Sequence, residues 1–183
     1  MKTLKIVLVS FCSLLILSAS CKKEKSANPI DDLPPATQTG ANTFGCLVNG
    51  EAFMSKNYGF GKPVLECNVT FINNGYNFHL SSTIKPESGK LQNVNINTDS
   101  LNINQGDIIR LLTGFKGEGS GAYYIGQITT SSEYRTNNQY TGKLNITKYD
   151  QIKHIVSGAF SFDAVNNKGE KVEIREGRFD MNF

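Results

Sequence analysis

Leu65-Glu66-Cys67-Asn68-Val69-Thr70-Phe71, followed by Tyr76-Asn77-Phe78-His79-Leu80, decides the fold class. In the first stretch the odd positions are apolar or small, and in the second the even ones. A period of two belongs to strands, because successive side chains point to opposite faces. Asn74-Gly75 lies between them and is the preferred pair for a two-residue type I′ turn. A turn there pairs Phe71 with Phe78, Val69 with Leu80 and Cys67 with Ser82, so that the apolar faces coincide.

The same pattern extends in both directions. Val156, Gly158, Phe160, Phe162 and Ala164 share one parity, and Asn167-Lys168-Gly169 suits a three-residue loop with glycine in the left-handed position. Ala164 then faces Val172 and Phe162 faces Ile174. Beyond Ile174 the parity switches, with Phe179, Met181 and Phe183 odd, which predicts a β-bulge near Glu176-Gly177. Asn49-Gly50 predicts a hairpin between Phe44–Val48 and Glu51–Met54. Further strands are expected at Leu91–Asn97, Asp107–Gly114, Ala122–Ile128 and Tyr140–Lys148. No stretch supports a helix of three turns. About ten strands with frequent turns argue an all-β antiparallel sandwich, with a lipocalin-like barrel as the alternative.

The first 20 residues read differently. Lys2 and Lys5 precede an apolar run from Ile6 to Leu17, then Ser18-Ala19-Ser20 and Cys21. The charged start, the short apolar run and the small residues are those of a secretory signal. The run is shorter than the ~20 residues a membrane-spanning helix needs. A cysteine directly after the cleavage point predicts lipidation of Cys21; the alternative is a secreted protein cleaved near Ser20. Removing Lys2 and Lys5 takes the 19 basic residues to 17, against 16 acidic ones. Such a balance gives no basis for a nucleic-acid partner. Lys22 is not acidic, which favours the outer membrane of the cell envelope. Residues 21–42 are polar, with Pro29, Pro34-Pro35 and Gly40, and are expected to form a disordered tether. Its reach is about 70 Å when extended. Residues 43–183 form one domain, long enough to bury about two-thirds of its unfolded surface.

Few residues carry a chemical signal. Cys46 and Cys67 both fall on predicted inward faces, and export makes them a candidate disulfide; two buried thiols are the alternative. His79 and His154 have no second ligand at zinc spacing, and no Gly-x-Ser-x-Gly elbow occurs. Gly114-Phe-Lys-Gly-Glu-Gly-Ser-Gly121 is glycine-rich but lacks the Gly-Lys-Ser/Thr ending of a phosphate loop, and reads as a mobile inter-strand loop. Asn97, Asp99, Asn102, Asn104 and Asp107 gather oxygens in one region, yet fit no EF-hand spacing and read as turn residues. Tyr123, Tyr124, Tyr134 and Tyr140 are candidates for a surface binding site, because a tyrosine offers an apolar ring and a polar hydroxyl. Glu173, Arg175, Arg178 and Asp180 read as a mixed-charge solvent face. No catalytic, cofactor-binding or metal-binding residue is assigned.

Two segments carry a resemblance: Thr43-Phe-Gly-Cys-Leu-Val-Asn-Gly-Glu-Ala-Phe53 at the start, and Ile155–Val165 with Lys171–Asp180 at the end. With the signal, they resemble an uncharacterised domain-of-unknown-function family of Bacteroidetes-type envelope lipoproteins. The resemblance implies a lipid-anchored envelope β-domain and brings no established site residues. The expected role is a non-enzymatic binding or structural module, held to the membrane through Cys21 and meeting an envelope protein or a glycan. A carrier of a small hydrophobic ligand is the alternative, and a hydrolase a more distant one.

Overall fold

The computed structural model describes residues 27–55, 64–72, 75–86, 89–127 and 130–183. The signal segment and Cys21 lie outside them. Eleven strands occur in the described residues: β1 Thr43–Val48, β2 Glu51–Met54, β3 Val64–Ile72, β4 Gly75–Ile84, β5 Leu91–Thr98, β6 Ile108–Leu111, β7 Gly119–Gln127, β8 Thr130–Arg135, β9 Gly142–Asp150, β10 Ile155–Val165 and β11 Lys171–Asn182. They form one hydrogen-bonded sheet in the order β2-β1-β11-β10-β9-β6-β7-β5-β4-β3. β8 pairs along β7 and touches β10 where Val165 meets Arg135. The pairings are antiparallel apart from the β6–β7 contact, Leu111 beside Gly119. The fold is all-β, as the period of two predicts. No described helix is long and apolar enough to cross a membrane.

The hairpin turns explain most of the registers. Asn49 and Gly50 take φ of 49° and 84°, and Val48 pairs with Glu51, as a two-residue turn with two left-handed residues requires. Ala164 meets Val172 and Phe162 meets Ile174, the expected register. Asn166 Oδ1 accepts from the backbone of Lys168 and of Glu170, and Gly169 sits at φ 80°. The bulge also falls where the parity switches. Phe160 pairs with Gly177 but Phe162 with Ile174, so β11 carries one extra residue, and Glu176 takes φ 54°.

The β3–β4 register is slipped by two residues from expectation. Phe71 meets Tyr76, Val69 meets Phe78 and Cys67 meets Leu80, while Ile72 meets Gly75. Gly75 is thus a strand residue and not a turn residue; Asn74 lies outside the described residues. The reason is a close approach, since a Cβ on Gly75 would lie 2.5 Å from Ser100 Cα. A slip of two keeps each side chain on its face, so the alternation alone does not exclude it.

The two ends of the strand path meet across the core. Phe78 on β4 lies 6.0 Å from Phe179 on β11, ring centre to ring centre. Phe160 on β10 links Phe179 at 6.4 Å to Phe44 on β1 at 5.3 Å, and Phe44 reaches Phe53 on β2 at 6.0 Å. Ser55 and Ser82 hydroxyls share a 2.7 Å hydrogen bond between the β2 end and β4. Leu80, Val94, Ile96, Leu144, Ile146 and Ile174 fill the space around these rings.

Residues 27–42 correct the expectation of a disordered tether. Among them Leu33 is buried, and Pro34 packs where a Cβ on Gly45 would stand, 2.5 Å away. Pro29–Asp32 form a short 3-10 turn opened by Asn28, whose Oδ1 accepts from Ile30 N. The segment is a strap laid over the outer side of β1 and β11. Its polar composition resembles that of a linker, but a single carboxylate from the sheet supplies the partners its backbone needs.

Candidate functional site

That carboxylate is Asp180, and it is fully buried. It belongs to the outward parity of β11, beside Arg178 and Asn182, and the strap covers it. Its Oδ2 accepts from Thr37 Oγ1 at 2.6 Å, Thr39 N at 2.9 Å, Thr39 Oγ1 at 3.2 Å and Ala41 N at 3.2 Å. Its Oδ1 accepts from Ser157 Oγ at 2.7 Å and Gly40 N at 2.8 Å. Burial pushes this carboxyl up, but the bonds from Thr37, Thr39, Ser157 and Gly40 outweigh it and hold it well below the usual range. Asn182 completes the clip, donating from Nδ2 to Gly40 O at 2.7 Å and from its backbone to Asn42 Oδ1 at 3.0 Å. The expected mixed-charge solvent face is therefore only partly present. Arg175 does pair with Asp163 at 2.5 Å and Glu173 at 3.5 Å, but Asp180 is not on solvent.

A half-buried array of hydrogen-bonded polar side chains lies on β3, β4, β5, β7 and β8. Alternation directs Val94, Ile96, Phe78 and Leu80 into the core, which leaves Asn93, Asn95, Asn97, His79, Ser81 and Thr83 on the other face. Cross-strand register sets His79 beside Asn97, Ser81 beside Asn95 and Thr83 beside Asn93. Asn93 Nδ2 donates to Ser81 Oγ and Thr83 Oγ1, both at 2.8 Å. Asn95 Nδ2 donates to Asn93 Oδ1 at 3.1 Å, and Asn97 Nδ2 to Asn95 Oδ1 at 3.2 Å. With Asn97 Nδ2 so committed, its Oδ1 is the acceptor facing His79 Nδ1 at 2.6 Å, and that ring nitrogen carries the hydrogen. Glu66 on β3 stands 3.8 Å from the other ring nitrogen.

On β7, Tyr124 sits across from Asn93 and beside Glu133 of β8. Its hydroxyl donates to Glu133 Oε1 at 2.6 Å and accepts from Arg135 at 2.9 Å, and Arg135 and Glu133 form an ion pair. Burial, then the bond to Glu133, raises the Tyr124 phenol above its ordinary pKa. Arg135 also stands over the Tyr124 ring, 5.9 Å from its centre. The face is thus a set of fixed amides, hydroxyls and one paired charge cluster, each locked by its neighbour.

The tyrosine group is divided by the alternation. Tyr124 joins this face. Tyr123 is buried in the core, and Tyr134 packs partly against the core with its ring 5.9 Å from that of Tyr123. Tyr123 is therefore withdrawn from the expected surface site. Burial first, then Tyr134 and Cys46, pushes its phenol up strongly. Tyr140 lies before β9 and faces Lys171, whose Nζ is 5.6 Å from the ring centre. The four do not converge.

Cys46 and Cys67 are free and buried, which corrects the expected disulfide. β1 is flanked by β2 and β11, whereas β3 pairs with β4, so no register sets the two opposite each other. Cys46 faces Phe53, and Cys67 faces Leu80. Burial pushes the Cys67 thiol up to about 12 and Cys46 higher still, so both stay protonated.

The remaining groups are structural. Asp107 Oδ2 accepts from Asn104 N at 2.7 Å and closes a turn, away from Asn97 on the ladder. The described residues hold no group of three or more His, Cys, Asp or Glu side chains placed for a metal. Part of the glycine-rich stretch is strand, since Gly119–Gly121 open β7, and the loop before them is closed by Thr113 Oγ1 donating to Glu118 at 2.6 Å and Gly117 N to Asp99 O at 2.7 Å. Gly121 makes room for Phe162, whose ring would be 2.9 Å from its Cβ. A cleft of about 200 Å³ lies between the strap and the first hairpin, lined by residues that include Asp32, Pro34, Phe44 and Met54.

The polar ladder has one signal in the sequence. Gln92-Asn-Val-Asn-Ile-Asn97 sets three asparagines on one strand face, although asparagine is depleted in strands. Compared with known proteins, the chain matches no family model, no curated protein and no solved structure.

Proposed function

We propose that this chain is a lipid-anchored cell-envelope protein, favoured for the outer membrane, whose β-domain is a non-enzymatic binding module, and that the polar face of β3, β4, β5, β7 and β8 is its binding surface. The observation that carries this reading is the amide ladder Asn93–Asn95–Asn97 running into His79. An ordered row of half-buried amides on the non-core face of a sheet costs strand propensity and side-chain freedom. That cost is understandable where the row meets a ligand. Amides and hydroxyls both donate and accept, as the hydroxyls of a sugar do, and the face carries no unpaired cluster of one charge. A hydroxyl-rich envelope glycan suits this chemistry better than an anionic ligand. Rings from β1, β2, β4, β10 and β11 pack against one another between the sheet faces, which weighs against a carrier with a large apolar cavity there.

The test uses the mature chain with Cys21→Ser, so that it stays in water. Its binding to purified envelope polysaccharides is measured beside the Asn95→Leu variant. The reading expects saturable binding by the parent and a loss of about tenfold in the variant, equivalent to one hydrogen bond of ~1.4 kcal/mol.

A further inference from the structure

The two ends of the strand path differ in how their outer edges are kept. β2 is four residues long, and the 3-10 turn of the strap lies beside it. Short length and a covering segment both keep an edge from pairing with another chain; lysine, proline and a bulge do the same. β3 has none of these. It runs for nine residues, Val64-Leu-Glu-Cys-Asn-Val-Thr-Phe-Ile72, without lysine or proline and in unbroken register with β4. Among the described residues, no strand pairs with its other side. Its two ends are apolar and open: Val64 and Ile72 are each 51% exposed, and Phe71 is 62% exposed.

The residue pattern of β3 is symmetric about its middle. Set antiparallel to itself with Asn68 on the two-fold axis, Val64 meets Ile72 of a second copy, Leu65 meets Phe71, Glu66 meets Thr70 and Cys67 meets Val69. Apolar side chains then cover one another at both ends, and the single charge, Glu66, faces a hydroxyl. An axis on Glu66 would set two carboxylates opposite each other, and an axis on Cys67 would leave Phe71 and Ile72 without partners. Only the Asn68 axis pairs all nine residues. We propose that β3 is a homodimer interface, pairing antiparallel with β3 of a second copy of this chain about Asn68. Such a contact is isologous, so it closes on itself and builds no fibre. Backbone hydrogen bonds give it strength, and the apolar pairs at its ends give it register. It also joins the polar faces of the two copies, because Glu66, Asn68 and Thr70 stand across from Ser81, His79 and Asn77. The pairing does not depend on what that face binds.

The experiment follows the mature chain with Cys21→Ser by sedimentation velocity over a dilution series. One strand pairing is a small interface, so a dimer that dissociates on dilution is expected. Asn68→Lys sets two ammonium groups opposite each other on the axis, at a position exposed in the single chain. It is expected to weaken the dimer by about tenfold or more, while the diluted variant still unfolds cooperatively. Cysteine cross-linking reads the register. Val64→Cys and Ile72→Cys chains are expected to cross-link when mixed and neither when alone, since the two copies of position 64 lie ~27 Å apart along the strands in this register. Cys46 and Cys67 are buried and protonated and stay out of the reaction. A monomer at every concentration, equal association by the Asn68→Lys chain, no cross-link in the mixture, or cross-linking of Val64→Cys with itself would overturn the proposal.

Discussion

At the scale of single residues, Asp180 bears the heaviest load. A buried carboxylate is stable only when its charge is met, and here six donors meet it, five of them from the strap. Hydrogen bonds to a charged group are worth about 1.5–3 kcal/mol each, so Asp180→Ala is expected to lower stability by at least ~3 kcal/mol in a denaturant titration. The pH dependence follows from the lowered carboxyl. Its stabilisation is complete above the ordinary carboxylate pKa of 3.8 and is lost only as the pH falls below that toward the folded-state value. Protease protection of the strap is therefore expected to be equal at pH 7 and pH 5, and release at pH 5 would contradict the assignment. The cysteines give a second residue-scale test. Two thiols should react in the denatured, unreduced mature domain and neither in the folded one; no reactive thiol after denaturation would mean a disulfide. Neither outcome was legible beforehand, because the inward parity of Cys46 and Cys67 says that they are buried but not that β1 and β3 lie far apart in strand order.

Among the elements, legibility followed turn chemistry. Asn49-Gly50 and Asn167-Lys168-Gly169 announce their hairpins because each position needs a backbone conformation that few residues tolerate. The bulge at Glu176 was legible for a related reason, since one extra residue inverts the parity of everything after it. Gly169→Val forces a β-branched residue to φ near 80° and is expected to cost ~1–3 kcal/mol, seen as a lower melting temperature. The β3–β4 register was illegible because Asn74-Gly75 has the composition of a turn, while the glycine is required by Ser100, a contact 25 positions away. β8 was illegible for want of an apolar stripe. Thr-Ser-Ser-Glu-Tyr-Arg is held by its ladder to β7 and by polar contacts such as Arg135 with Tyr124. The polar ladder was written in the sequence as alternating asparagines. Read one strand at a time it is only a wet face, and its order comes from the neighbours that β4 and β7 bring to it.

For the whole molecule, the folding of one long sheet onto itself makes an aromatic seam of Phe44, Phe53, Phe78, Phe160 and Phe179. It joins strands from both ends of the path. Phe160 sits at its centre, and Phe160→Ala is expected to cost ~3–5 kcal/mol in cooperative unfolding. On the proposed reading, recognition belongs to the ordered polar face, where the side chains are already held by their neighbours. The strap is fastened to β11, away from the strands that carry that face. The most direct test is the binding of envelope polysaccharide by the Cys21→Ser mature chain, with Asn95→Leu measured beside it and the melting temperature of each recorded. The account predicts saturable binding by the parent and a loss of about tenfold in a variant that still unfolds cooperatively above the assay temperature. Absence of binding by the parent, or equal binding by the two, would contradict it.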